Sequence, residues 1–192
     1  MALRQIRVYG DDLLKKKARP VKDFDESLFN LLDDMWDTLR EFDGLGLAAP
    51  QIGMLRRIIV IELEEDNYEL INPEIVEATG LDTKNEACLS VPNKQGDVER
   101  PTFVRIAAVD RHNNPYELET DDEMLATAIC HEIDHLDGVL FLDKAKKIQD
   151  RPPDEDPKKA KRERERERAR QRKKRGKKPR TKIIPGKRAV GN

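Results

Sequence analysis

Residues 131–138, His-Glu-Ile-Asp-His-Leu-Asp-Gly, contain a His-Glu-x-x-His pattern. On a helix, side chains four residues apart lie on one face, so His131 and His135 can bind one metal ion. Glu132 lies about 100° around the helix from His131, where it can act on a metal-bound water without being a ligand. The pattern predicts a metal site, in preference to two solvated histidines on a surface helix.

The residues around this pattern predict the helix that carries it. Thr120, followed three residues later by Glu123, matches a capping box, so we predict that the helix begins near Thr120. Gly138 suits the position just past a helix end. Between them an apolar stripe recurs at helical spacing, at Leu125, Ile129, Ile133 and Leu136.

Two imidazoles do not complete a catalytic metal site, which usually has a third protein ligand. The candidates are His112, Cys88, Cys130 and many carboxylates. Cys130 is rotated about 100° away from His131 on the same helix, so a small buried thiol is its simpler interpretation. Spacing alone does not choose among the others.

The rest of the first 147 residues predicts one α+β domain with a mostly antiparallel sheet packed around the metal-binding helix. A first helix is expected from Asp25, its N-cap, to Phe42. Strands are expected at residues 57–63, 68–71, 103–109 and 116–119, the last two joined as a hairpin by Asn113-Asn114.

Charge divides the chain. Residues 1–143 carry 15 basic and 31 acidic side chains, whereas residues 144–192 carry 22 and 7. We therefore predict a charged C-terminal tail over residues 148–192, partly helical or disordered, that stays outside the core. A helix is expected from about Asp156, with disorder beyond residues 176–179.

Composition excludes several classes. No apolar run approaches the roughly 20 residues that span a bilayer, and the N-terminus lacks the apolar region of a secretory signal. Two cysteines are too few for a disulfide scaffold. We expect a soluble cytoplasmic protein, without a membrane partner and monomeric.

Three segments together resemble the signature motifs of peptide deformylase in order and spacing. They are Gly-Leu-Gly-Leu-Ala-Ala-Pro-Gln at 44–51, Glu-Ala-Cys-Leu-Ser at 86–90 and the segment 131–138. The resemblance covers about residues 1–147 and matches the family's shorter, bacterial-type form. Two positions depart from the common pattern: Ala87 replaces a glycine, which would narrow the pocket, and Cys130 replaces a glutamine.

The resemblance implies a metal-dependent hydrolase that removes the N-formyl group from the initiator methionine of nascent polypeptides and releases formate. It implies that Cys88, His131 and His135 hold one divalent metal, Fe²⁺ first, with Zn²⁺, Ni²⁺ or Co²⁺ as alternatives. Glu132 would then transfer protons. The Gln51 side-chain amide and the Leu89 backbone N–H would stabilise the oxyanion. Capping of a nearby loop is the structural alternative for Gln51.

The substrate needs an apolar methionine pocket and room for its backbone. Thr127 and Ala128 share the helix face of His131, and Met124 lies one turn further back. Leu45 closes the other side, and Gly46, which lacks a Cβ, lets the peptide lie alongside as an added strand. A purely structural core role is the alternative for the side chains.

Two other functions compete with this one. A metallopeptidase would use the same His-Glu-x-x-His helix but would leave Gln51 and Cys88 without a role. A ribosome- or RNA-associated module with a non-catalytic site would rely on the basic tail. Within the family interpretation, the same tail is expected to bind ribosomal RNA through phosphate contacts. A tail that folds back on the acidic body is the alternative.

Overall fold

The computed structural model describes residues 2–151 and 180–186. In these residues the α-helices are α1 (Glu26–Glu41), α2 (Glu123–Leu136) and α3 (Phe141–Lys144). The strands are β1 (Gly46–Ala48), β2 (Ile58–Leu63), β3 (Asp66–Thr79), β4 (Asp82–Cys88), β5 (Val91–Arg100), β6 (Phe103–Val109), β7 (Pro115–Thr120), β8 (Lys147–Asp150) and β9 (Thr181–Pro185).

The strands form two antiparallel sheets. The larger has the order β1-β2-β3-β6-β7-β9, and the smaller has the order β4-β5-β8. The predicted α+β class with a mostly antiparallel sheet is confirmed, as are the hairpin of β6 and β7 and its turn, where Asn113 has φ +60°. No helix in the described residues has the length and apolarity that crossing a membrane requires.

The two long helices cover opposite faces of the larger sheet. In β2, Ile59 and Ile61 pack in the cluster that includes α2, whereas Ile58 and Val60 pack in the cluster that includes α1. This alternation follows from the two-residue period of a strand. The metal-binding pattern therefore lies on a helix that is fixed by the main core.

The start of α2 differs from the prediction. The helix begins at Glu123, and its N-cap is Asp122, whose Oδ1 accepts hydrogen bonds from Met124 N and Leu125 N. Thr120 is instead the last residue of β7, because its ladder pairing with Val104 keeps it extended. The prediction for α1 is confirmed: Asp25 caps it, accepting from Leu28 N at 3.1 Å.

The structure differs from the prediction for the tail in both parts of the tail that it describes. The expected boundary at 147/148 falls inside β8, which pairs with β5. Residues 181–185, predicted to stay outside the fold, form β9 on the edge of β7. The β-branched residues Thr181, Ile183 and Ile184 favour a strand there. The helix expected from about Asp156 lies outside the described residues. The disorder expected beyond residues 176–179 is wrong for residues 181–185, which form β9, and can be compared with the structure only over residues 180–186.

Candidate active site

The cleft of interest lies between the two sheets and α2, and has a volume of about 650 Å³. It collects nearly every site residue expected from the sequence. Those that line it are Leu45, Gly46, Gln51, Cys88, Leu89, Met124, Thr127, Ala128, His131 and Glu132. His135 lies buried next to it, on the same helix as His131.

Three side chains from two elements form a candidate metal centre. Cys88 ends β4, after a register shift at Ala87/Cys88, while His131 and His135 come from α2. One ligand atom from each lies within 4.8 Å of the others, and Cys88 Sγ is 3.1 Å from His135 Nε2. A thiolate with two imidazoles is a donor set that suits zinc or ferrous iron.

Two of the other candidate ligands, His112 and Cys130, lie outside the cluster. His112 stacks edge-on against Phe29, with ring centroids 5.6 Å apart. Cys130 is a free, buried cysteine that does not belong to the cluster, and burial raises the pKa of its thiol to about 11. The interpretation of Cys130 as a small buried thiol is thus confirmed.

A buried ion-pair network orients His131. Its Nδ1 is 2.7 Å from Glu86 Oε2, so Nδ1–H donates to that carboxylate and leaves Nε2 as the nitrogen available to a metal. Arg100, only 2% exposed, holds Glu86 through two hydrogen bonds of 2.5 and 2.9 Å. Its third bond, 2.7 Å long, reaches Asp134 on α2.

Glu86 was not identified as a site residue from the sequence. A signal was available, because residues two apart in a strand share a face, and Glu86 precedes Cys88 by two. Burial alone would raise the pKa of Glu86, but hydrogen bonds from Arg100 and His131 outweigh it and lower that pKa to about 2. The carboxylate is therefore charged and available to His131 at every physiological pH.

Glu132 is buried, at 4% exposure, and lines the cleft together with Cys88 and His131. Its Oε2 has no hydrogen-bond partner among the described residues. Burial raises the pKa of Glu132 to about 7. A buried carboxylate oxygen without a partner is costly, so its presence in a cleft indicates a functional group that awaits a ligand or a proton.

Gln51 is 1% exposed and belongs to a 3₁₀ turn at Ala49–Ile52. Its Oε1 accepts a hydrogen bond of 2.7 Å from Ala48 N, which fixes the amide. Its Nε2 is directed toward Ser90 Oγ, at 3.3 Å, and Cys88 Sγ, at 3.5 Å. The amide thus combines the loop-capping role and a donor that faces the metal centre.

The family model described as polypeptide deformylase matches residues 3–151. The chain belongs to this family. It is 54% identical over 144 residues to a peptide deformylase of Caldicellulosiruptor bescii, an alignment covering 75% of this chain and 86% of the relative. Members are metal-dependent hydrolases that remove the formyl group from nascent peptides.

Solved structures agree with this assignment. A peptide deformylase from Legionella pneumophila superposes with a TM-score of 0.73 at 42% identity, over 76% of this chain and 87% of that one. A class I type b peptide deformylase from Acinetobacter baumannii, solved with Met-Ala-Ser bound, gives a TM-score of 0.72 at 30% identity, over 74% and 98%. The family holds a single catalytic metal, and the Cys88, His131 and His135 cluster fits one. Strand β9 lies outside the residues that the family model matches.

Proposed function

We propose that this enzyme deformylates formyl-methionyl peptides with Glu132 as its proton carrier and with Cys88, His131 and His135 as the ligands of its metal. The observation that carries the proposal is the partnerless, buried Oε2 of Glu132 in the cleft that Cys88 and His131 also line. When bound, the metal supplies Lewis acidity that activates water at neutral pH.

Glu132 performs two proton transfers. Its Oε2 accepts a proton from the attacking water and later delivers one to the departing amine nitrogen, so that formate and a free amino terminus leave. A carboxyl whose burial raises its pKa to about 7 is suited to both steps near neutral pH. The residue ends the cycle in the state in which it began.

Gln51 and Leu89 stabilise the negative charge that develops on the formyl oxygen. The Gln51 amide is already fixed by Ala48 N, so its Nε2 requires little reorganisation to donate to an oxyanion near Cys88. The backbone N–H of Leu89 follows Cys88 directly and lies on the same cleft wall. Fixed donors of this kind account for a large share of catalysis in acyl transfer.

The peptide lies between two sheet edges. Among the described residues, β1 and β4 are each the outermost strand of their sheet, and residues from both edges line the cleft. An extended peptide can pair with such edges through its backbone. Its methionine side chain then enters a pocket formed by Met124, Thr127, Ala128 and Leu45. Met-Ala-Ser, bound in the Acinetobacter baumannii structure, has the sequence of the expected product.

The metal that we propose for this site is ferrous iron. The soft thiolate in the donor set favours iron or zinc over magnesium or calcium. Purification without oxygen, followed by metal analysis and formate release on one sample, tests this choice. Iron content that tracks activity supports it. A fully active sample that, as purified, contains zinc, nickel or cobalt and no iron contradicts it.

The reaction is tested with three peptides: formyl-Met-Ala-Ser, acetyl-Met-Ala-Ser and a longer peptide that contains Met-Ala-Ser between other residues. The expected result is rapid formate release from the first and little turnover of the others. Cleavage of internal peptide bonds at a comparable rate would instead support the metallopeptidase that shares the His-Glu-x-x-His helix.

The basic segment 152–179 holds the enzyme beside the ribosome by contacts with rRNA phosphates. It carries 14 basic and 6 acidic residues, whereas the acidic body repels RNA. We propose that the protein is cytoplasmic and works there as a monomer.

Ribosome cosedimentation at low and high salt tests the role of the basic segment. The variant Lys173→Gln/Lys174→Gln/Arg175→Gln should bind more weakly, with a smaller salt dependence. The matched control, Lys15→Gln/Lys16→Gln/Lys17→Gln, removes three exposed lysines from the body and should bind as the wild type does. Equal binding by both variants would contradict this role.

A further inference from the structure

Strand β9 begins beside the junction that leads into α2, the helix that carries the proposed metal-binding histidines. It pairs with β7 from Tyr116↔Pro185 to Thr120↔Thr181, so its first residue lies where β7 gives way to α2. The family model ends at residue 151, so this contact belongs to a part of the chain beyond the shared domain.

A chain of hydrogen bonds links β9 to the cap of α2. The hydroxyls of Thr181 and Thr120 are 2.9 Å apart and share a hydrogen bond. Thr120 Oγ1 also accepts a bond of 3.0 Å from Asp122 N. Thr120 is fully buried, so its hydroxyl depends on these two partners in place of water.

The residue before the strand adds a second link. Asp121 N donates to Arg180 O at 3.1 Å, and the Asp121 carboxylate accepts from Arg180 N. Asp121 and Asp122 are the two residues that join β7 to α2. Asp121 is therefore held directly by Arg180, and Asp122 is linked to Thr181 through the Thr120 hydroxyl.

The cap of α2 is bonded to a residue that lines the cleft. Asp122 Oδ1 accepts from Met124 N at 2.8 Å, and Met124 lines the cleft where methionine is proposed to bind. On the other side of this turn, Glu123 is held by Lys84 of β4 at 2.6 Å. The first turn of α2 is thus fixed between β4 and β9.

We propose that Thr181 is a positioning residue for the methionine pocket, acting through Thr120 and the Asp122 cap on the first turn of α2. This inference rests on the proposed methionine pocket. Loss of the Thr181 hydroxyl lets the cap and Met124 shift, which weakens recognition of the methionine side chain. The metal ligands lie two turns further along α2 and stay in place.

The test measures selectivity in the full chain. For each variant, kcat/KM is compared between formyl-Met-Ala-Ser and formyl-Ala-Ala-Ser, because an alanine side chain barely enters the pocket. Thr181 is exposed, and Thr181→Val keeps the shape and strand preference of the side chain while removing its hydroxyl. It should lower the selectivity ratio roughly threefold to tenfold, the effect of one lost hydrogen bond. Metal content and turnover of formyl-Ala-Ala-Ser should not change.

Two variants control the measurement. Thr181→Ser retains the hydroxyl and should restore the ratio. Lys182→Ala alters the next residue of β9, whose Nζ lies 3.8 Å from Glu119 Oε1 on the surface, and should keep the wild-type ratio.

Three results would overturn the inference. The first is a selectivity ratio that favours methionine equally in the wild type and in Thr181→Val. The role of Thr181 would then be wrong, while the proposed methionine pocket would stand. The second is an equal loss on both peptides together with loss of metal, which would show a merely structural role. The third is a wild-type ratio near one, which would overturn the methionine pocket itself.

Discussion

Glu86 Oε2 lies 2.7 Å from Nδ1 of His131, and the buried guanidinium of Arg100 donates to both oxygens of the same carboxylate. The network joins β4, β5 and α2, the elements that bring Cys88 and the two histidines together. The position of the proposed metal ligands therefore depends on an ion pair that is not part of the proposed ligand set.

Glu86→Gln should weaken metal binding. The amide matches the carboxylate in shape but leaves the Arg100 charge without its main partner, which costs about 3–5 kcal/mol of stability. Loss of the carboxylate behind a ligating histidine typically lowers metal affinity about 10–100-fold. Metal titration and thermal unfolding measure both effects. Glu99→Gln, at an exposed residue paired with Lys146, is the control and should change neither.

Gly46→Ala should slow the reaction while the metal stays bound. A Cβ on Gly46 would lie 2.7 Å from Glu132 Oε1 and 2.9 Å from its Cγ, so Glu132 must move. A displacement of about 1 Å in a catalytic group can cost roughly 100-fold in rate. Formate release and metal content on the same sample give the answer. A fully active Gly46→Ala enzyme would contradict the placement of Glu132.

Cys88→Ser and Cys130→Ser form a matched pair. Cys88→Ser replaces a thiolate ligand with a poorer donor, so metal should be lost on gel filtration. Cys130→Ser alters the other cysteine, which lies outside the cluster, so metal binding should persist even if the fold is less stable. Equal metal retention by the two variants would remove Cys88 from the ligand set.

Acid should weaken the fold partly through Glu69. Burial alone would raise the pKa of Glu69, but hydrogen bonds from Arg111 and Trp36 outweigh it and lower that pKa. The group therefore contributes stability above its unfolded pKa of about 4.3, and this is lost as pH falls through the folded pKa. The free-energy difference between wild type and Glu69→Gln should shrink below that range. With the exposed Glu65→Gln as control, a pH-independent difference would contradict the assignment.

The metal helix could be predicted from the sequence because its signals are local. Spacing places His131 and His135 on one face, and the apolar stripe and Gly138 mark the helix. Its first residue could not be fixed, because ladder pairing with Val104 overrides the capping preference of Thr120. The choice of Cys88 as third ligand required the resemblance to a family, since it comes from a different element.

The smaller sheet gave little local signal. Charged and polar residues make up most of β4, and its one buried residue is Glu86. The strand therefore shows no apolar alternation. Arg100 meets Glu86 and Asp134 only through the tertiary fold. Strand β9 returns to the sheet after an intervening segment of strongly charged sequence, which made its short β-branched run easy to overlook.

The most direct test of the role proposed for Glu132 is Glu132→Gln, assayed for metal content and for formate release from formyl-Met-Ala-Ser on the same sample. The amide keeps the size of the side chain but cannot accept the proton of water. We predict wild-type metal content and a rate lowered by about 100-fold or more, the usual contribution of a general base. Full activity in a metal-loaded Glu132→Gln enzyme would contradict that role.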